Sequence, residues 1–321
     1  MSPSAKILSR RGFCLCCIGA AAFTASSGWL TPGEVFAKAH GIVDMIRDSA
    51  AATPITTYEA RGLLVLEGSG GNVLASSGSD GIVLVDAGIG VSASKVKQAV
   101  AKLGPQPIRH VVNTHWHFDH TDGNEWLAKG GAEIHAHRTT LAHLKSAQRV
   151  DDWDFDFPAA PPAALPTSIF GDHDVLELNG DRLVLDHYGS AHTDGDSSVF
   201  FEKANVLHVA DTFWNGIYPF IDYSTGGSID GMIRAAEANV KTAQDDTIVV
   251  PGHGHPVSNR RELIGYRDML VAIRGAVADL KSKGLSLEEA TKRKPTKEFD
   301  AVWGKFVIGP DFFTKLVYMG V

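Results

Sequence analysis

The stretch "THWHFDH" (residues 114–120) places three histidines and an aspartate within six residues, from His115 to His120. On an extended or loop backbone, side chains two apart point to the same side. His115 and His117 therefore present both imidazoles together, while Asp119 and His120 diverge from them. One tetrahedral ion has no use for all four at this spacing. The run asks for two metal ions sharing a wall, with further ligands from later in the chain.

Working outward, several β-rich apolar runs stop at a residue able to bind metal. "GIVLVDAG" ends at Asp86, "IRHVVNTH" runs into His115, "DRLVLDHYGSAH" leads to His192, "NVLHVAD" ends at Asp211 and "TIVVPGH" delivers His253. Ligands at the carboxyl ends of strands, carried by loops on a rigid sheet, are where α/β proteins build their sites. Helical patterning covers residues 94–103, 231–242 and 260–283, and "LSLEEA" pairs Ser286 with Glu289 as a capping box opening a C-terminal helix. Its tail supplies Trp303, Phe306 and Phe312 for packing. The mixture describes one α/β domain without internal linkers.

Composition sets the outer limits. At 321 residues, 44% hydrophobic and 21% charged, the chain has the make-up of an ordinary globular protein with enough material for a core. The first stretch joins Arg10 and Arg11 to a short apolar run rich in Gly, Ala and Ser, which resembles a twin-arginine export signal. The small-residue pattern Ala37-Lys38-Ala39 then predicts cleavage, with residues 1–39 as signal peptide and 40–321 as the mature domain. Cys14, Cys16 and Cys17 all lie in that signal, so the mature chain is expected to hold neither thiol nor disulfide. Residues 1–39 carry a net +3, and their removal takes the formal charge from −7 to −10. Such an acidic chain is a poor candidate for nucleic-acid binding, and no stable membrane insertion of the mature chain is expected. The expected partners are the twin-arginine export machinery and a small-molecule substrate, and the expected location is the periplasm or the extracellular space.

The segment "HWHFDH", a histidine in "SAHTDGD", an aspartate in "VADT" and a histidine in "PGHG" resemble, in that order, the metallo-β-lactamase superfamily of hydrolases. The likeness covers nearly the whole expected mature chain. It implies a four-layer αββα sandwich with the site at the sheet edge. It also implies that His115, His117 and His192 hold a first metal, that Asp119, His120 and His253 hold a second, and that Asp211 bridges them. Nitrogen and carboxylate ligands without thiolate suit two Zn2+ ions, with iron and manganese as alternatives. The diiron oxidoreductase branch commonly carries glutamate where this chain has His117, which favours a hydrolase. A bridging aspartate looks more like glyoxalase II and the lactonases than the β-lactamases with a cysteine ligand.

The implied chemistry is that of a binuclear hydrolase, in which water shared by two zinc ions reaches a pKa of roughly 7 and attacks a carbonyl ester, lactone, thioester or β-lactam. Asp119 is the expected catalytic residue, ligating metal while orienting that water and moving its proton. Asp86 is expected to hold a ligand loop by hydrogen bonds. An iron-dependent persulfide dioxygenase and a non-catalytic metal-binding accessory protein are the competing classes.

Other residues are read with less weight. "EGSGGNV" (residues 67–73) has the composition of a mobile hairpin tip able to close over substrate. Trp153, Phe155 and Phe157 form either a pocket wall or a packed surface excursion, and Phe213, Trp214 and Tyr218 are expected near the metals, facing an apolar or planar part of the substrate. His135 and His137 in "EIHAH" are read as strand residues, since no carboxylate or third histidine follows at a useful spacing, and His255 is placed at the pocket rim. The export reading is checked by replacing Arg10 and Arg11 with lysine: the precursor should accumulate in the cytoplasm, and unchanged delivery of the double variant in cell fractionation would refute it.

Overall fold

A computed structural model describes residues 41–321. The expected signal peptide and cleavage point lie outside the described residues. The chain builds two large sheets. The first has seven strands: β1 (Thr56–Ala60), β2 (Leu63–Glu67), β3 (Val73–Gly78), β4 (Gly81–Val85), β5 (Ile108–Asn113), β6 (Glu133–His137) and β9 (Ser168–Phe170), in that spatial order. It is antiparallel up to β4 and parallel from β4 to β9. The second has six: β10 (His173–Leu178), β11 (Asp181–His187), β12 (Ser197–Phe201), β13 (Val206–Asn215), β14 (Ile248–Gly254) and β15 (Ser258–Asn259). A two-stranded ribbon, β7 (Gln148–Val150) with β8 (Phe155–Phe157), stands apart.

Strand periodicity explains the layering. Val83, Val85, Leu74 and Val112 point inward, where they meet Leu183, Leu185, Val199, Val206 and Val250 of the other sheet in one buried cluster. Their neighbours one residue away, Ile82, Leu84, Val73, Ala75 and Val111, point outward and are covered by Val96, Ala99 and Val100 of the helix Ala93–Val100 and by Leu127. On the far side Leu207, Val209 and Val249 lie under the helices Ile229–Thr242, Arg260–Ser282 and Pro310–Gly320. The result is the four-layer αββα sandwich, with central strands such as β4 and β13 buried on both faces and β1 and β10 partly exposed.

Helix bounds agree with the patterning to within a few residues, and the Ser286–Glu289 capping box is present in both directions. Two expectations need correction. The tip at residues 67–73 is no mobile lid: residues 68–73 are buried, and Asn72 donates from its backbone to Gly252 O at 2.8 Å and from its side chain to Pro251 O at 2.9 Å. Gly70 has φ 94° and a Cβ there would come within 2.5 Å of Asp119 O, while one on Gly71 would meet the His120 ring. The glycines are there for close approach, which the sequence composition alone reads as flexibility.

Asp211, in turn, does not end its strand but lies within β13, where the pairing to β14 is interrupted between Ala210 and Trp214. Ala210 adopts φ 47°, so the backbone twists at this point and delivers Asp211 into the site before the strand resumes.

Glycines in the outer helices separate propensity from packing. A Cβ placed on Gly265 or Gly275 would have nothing within 4 Å, whereas one on Gly231 would lie 2.6 Å from Ser190 C and overlap its carbonyl oxygen. Gly265→Ala and Gly275→Ala should each stabilise the protein by about 0.5–1 kcal/mol, and Gly231→Ala should destabilise it despite better helix propensity. Chemical denaturation of the three variants decides it, and stabilisation by Gly231→Ala would contradict the packing.

Candidate metal centre

All seven expected ligands converge. His115, His117, Asp119, His120, His192, Asp211 and His253 are each buried, from 0% exposed for His115 to 7% for Asp119. Their donor atoms fall into groups able to hold an ion: His115, His117 and His192 in one, Asp119, His120 and His253 in another, and His115, His120 and Asp211 in a third that joins them. Asp211 reaches into both triads, with Oδ2 3.3 Å from His192 Nε2 and 3.2 Å from His253 Nε2, and Oδ1 3.1 Å from His120 Nε2. Asp119 Oδ2 stands 3.2 Å from His253 Nε2 and 3.6 Å from His120 Nε2.

The outer nitrogens of these rings are occupied, which fixes the inner ones toward the shared centre. His120 Nδ1 lies 2.8 Å from Asp86 Oδ2, His117 Nε2 lies 3.0 Å from Asp222 Oδ2, and His192 Nδ1 lies 2.9 Å from Phe220 O. This leaves Nε2 of His120 and His192 and Nδ1 of His117 facing inward. His115 Nε2 and Asp211 Oδ1 are buried with no hydrogen-bond partner. Unsatisfied buried nitrogen and carboxylate oxygen at the centre of a cluster of imidazoles and carboxylates are donors awaiting a cation, so the residues present fit the metal that the sequence implies.

Electrostatics of the metal-free cluster follow from the same contacts. Burial, reinforced by the charge of His120, holds His115 well below the ordinary imidazole range. Burial would lower His253 too, but the carboxylates of Asp211 and Asp119 overturn this and push it up to about 10. For Asp119, burial is outweighed by His120 and His253, which hold it at about 2.

Asp86 takes the supporting role expected of it. It is fully buried, with φ 66°, and accepts from Thr114 N at 2.8 Å and Thr114 Oγ1 at 2.9 Å besides His120. Asp222 is a supporting residue to which nothing in the sequence points. It lies a short way downstream of Asp211, but its bond to His117 spans 105 residues and nothing local marks it.

The pocket over the centre is lined by Gly70, His117, Asp119, Asp211 and His253 and by an apolar wall: Trp153, Trp214, Phe220, then Ile42, Met45 and Ile46 from the helix Ile42–Ala52, and residues 306–308. Trp153 is thus pocket wall, while Phe157 is buried against Trp116 and Phe118. Trp214 sits 4.3 Å from the His253 ring as expected. Phe213 and Tyr218 do not belong to the site: Phe213 packs on Tyr266, and Tyr218 stacks on Phe313 and donates to Asp300 at 2.9 Å. Strand alternation sends Phe213 to the helix side when Trp214 faces the metals, and the chain turns away before Tyr218. His255 is exposed and not among the pocket residues.

The sequence profile of the metallo-beta-lactamase superfamily matches residues 67–280, and the chain belongs to that family. Among curated relatives, it is 24% identical to the linear primary-alkylsulfatase of Pseudomonas sp. over 253 residues, 67% of this chain and 48% of that one. It is 24% identical to the hydroxyacylglutathione hydrolase of Polaromonas sp. over 203 residues, 63% of this chain and 70% of that one. In structure it resembles the inverting sec-alkylsulfatase Pisa1 from Pseudomonas sp., with a TM-score of 0.63 at 18% identity, covering 83% of this chain and 50% of the other. It also resembles the metallo-beta-lactamase from Pontibacter korlensis, with a TM-score of 0.51 at 17% identity, covering 68% and 93%. These relatives and neighbours are hydrolases, and the chain spans about half the length of the alkylsulfatases it matches.

Linkage gives the site a pH signature. His253 raised to about 10 stabilises the metal-free fold fully below its unfolded value of about 6.5, and that contribution is lost as pH rises through about 10. Asp119 lowered to about 2 stabilises above its ordinary value of 3.8, with loss as pH falls toward about 2. Metal must displace the proton on His253, so the gain in Tm on adding zinc should grow from about pH 6.5 to about pH 9. A gain independent of pH in paired melting curves would mean that His253 carries no proton to displace.

Proposed function

We propose that the protein is an exported binuclear zinc hydrolase, with residues 40–321 as its mature domain, which cleaves an ester, lactone or thioester having an apolar organic portion. The carrying observation is Asp211, which joins two ligand triads at the base of an apolar pocket. His115, His117 and His192 would hold one ion, Asp119, His120 and His253 the other, and Asp211 both. Bound there, two divalent cations supply Lewis acidity and water made acidic enough to ionise near neutral pH.

The chain's own residues supply positioning and exclusion of water. Asp119 Oδ2 is turned to His253 and His120, and Oδ1 is drawn into neither contact, so it can accept a hydrogen bond from the attacking water. A carboxylate held at about 2 is a weak base, which makes Asp119 an orienting acceptor before it is a proton store. Trp153, Trp214 and Phe220 cover the ligands and shed water from the substrate's organic part.

Among the described residues no lysine or arginine lines this pocket, so a substrate with a remote anionic group would bury it without a partner there. That favours neutral esters and lactones over β-lactams bearing a carboxylate. A second reading, alkyl sulfate hydrolysis, draws support from the alkylsulfatase relative and from the same wall, since a sulfate at the metals would leave its alkyl chain against apolar side chains. A panel of acyl esters, lactones, thioesters and alkyl sulfates separates the two. Turnover of none of these, or one iron per chain with oxygen uptake, would overturn the proposal.

Asp211→Ala removes one ligand from each triad but leaves the three histidines of the first. The variant should stay folded, keep about one zinc and lose most of its rate, because one carboxylate and two histidines hold an ion less well than three histidines. Two tightly held zinc ions with a near-normal rate would mean that Asp211 is no bridge.

A further inference from the structure

We propose that His110, Glu133 and His135 form a second metal site, separate from the principal centre, that takes Zn2+ or a similar borderline divalent ion on the inward face of β5 and β6, where that face opens to solvent at Glu133. On the parallel pair β5–β6, His110 stands opposite Glu133, and His135 lies two residues along on the same face, opposite Val112. The i, i+2 histidine pair of "EIHAH" thus does not act as a pair. Only its first member joins this group, and the missing ligands come from the residue two before it and from the neighbouring strand. The carboxylate sought downstream of His135 lies upstream.

The distances decide between a hydrogen-bonded pair and a ligand set. His110 Nδ1 is 3.3 Å from His135 Nε2, and Glu133 Oε2 is 3.8 Å from the first and 3.6 Å from the second. Zinc with bonds of about 2.0–2.1 Å in a tetrahedron separates its ligand atoms by about 3.3–3.4 Å, so all three edges lie close to one face of such a site. A hydrogen bond favours about 2.9–3.0 Å, and it would involve only two of the three groups. These atoms also form one of the groups able to hold an ion.

The chemistry agrees. Two imidazoles and a carboxylate suit zinc, copper or nickel and give hard ions such as magnesium too few oxygens. His135 is almost wholly buried with Nε2 turned to the other two groups, so packing fixes its place in the set. Asp174 of β10 adds a negative charge facing it. The Glu133 side chain is 50% exposed and that of His110 21%, so water reaches the fourth position and the ion exchanges with solvent. Because β5 runs on to His115 five residues later, an ion here ties together the two strands behind the principal ligand run.

The test compares zinc per chain in the full protein with that in His110→Ala/His135→Ala, after equilibration with zinc and gel filtration in a weak competing chelator. The double variant should hold one equivalent fewer than the wild type, whatever number the principal centre retains, with turnover unchanged. Glu133→Gln, a half-exposed change that keeps the shape, should weaken that extra equivalent at least tenfold and settles the matter if the double variant misfolds. Equal zinc content and equal affinity in the wild type and Glu133→Gln would show the histidines to be a hydrogen-bonded pair only.

Discussion

The buried carboxylate of Asp86 ties the fold to the chemistry. It stands just past β4, in a left-handed conformation, and takes hydrogen bonds from the backbone and side chain of Thr114 and from His120. The ligand-bearing run leaves the neighbouring strand β5 at that point, so one side chain anchors both its beginning and its last histidine. An unpaired carboxylate in such a place would be costly to bury, and an unanchored run would leave four donors without a common centre. The start of the turn at residues 114–120 and the orientation of the His120 ring are both held by this one side chain.

Much of this is legible in sequence because it is local or periodic. Two-residue alternation places the strands and their inward faces, and apolar runs ending in His or Asp point to the ligands. What sequence conceals rests on contact between distant segments. Residues 68–71 look flexible by composition, but they are buried, and Gly70 and Gly71 lie against Asp119 and His120, because only glycine lets the backbone come so near. Asp222 carries no motif, and its value appears only when His117 is found 3.0 Å away. Trp214 and Phe213 are neighbours with opposite fates by strand alternation, and which of them faces the metals depends on a register shift in β13 that no spacing announces. His135 and Glu133 gain meaning from His110 on another strand, a relation that depends on register.

The pocket divides its work between unlike materials. Its base is charged, rigid and held by bonds to Asp86, Asp222 and the Phe220 carbonyl, while its walls are aromatic and aliphatic and contribute no formal charge. Part of that wall comes from the helix Ile42–Ala52 and from residues 306–308, far apart in the chain and outside the segment matched by the superfamily profile, 67–280. The ligands and the aromatic wall of Trp153, Trp214 and Phe220 thus lie in the shared core, and the rest of the apolar cover in what surrounds it. Sequence likeness to relatives therefore says more about the reaction type than about what fits inside.

The indole rings lie unusually close to the donors. Trp116 and Trp153 lie 4.8 Å and 5.2 Å from the His117 ring, and Trp214 lies 4.3 Å from that of His253, so three of the tryptophans among the described residues touch the ligand shell. An excited indole gives up an electron more readily to a protonated imidazole than to a neutral one, and His253, with its raised pKa, is the protonated ring beside Trp214. Trp214 is therefore placed to register in its ultraviolet emission whether that proton is present, without any added dye or label.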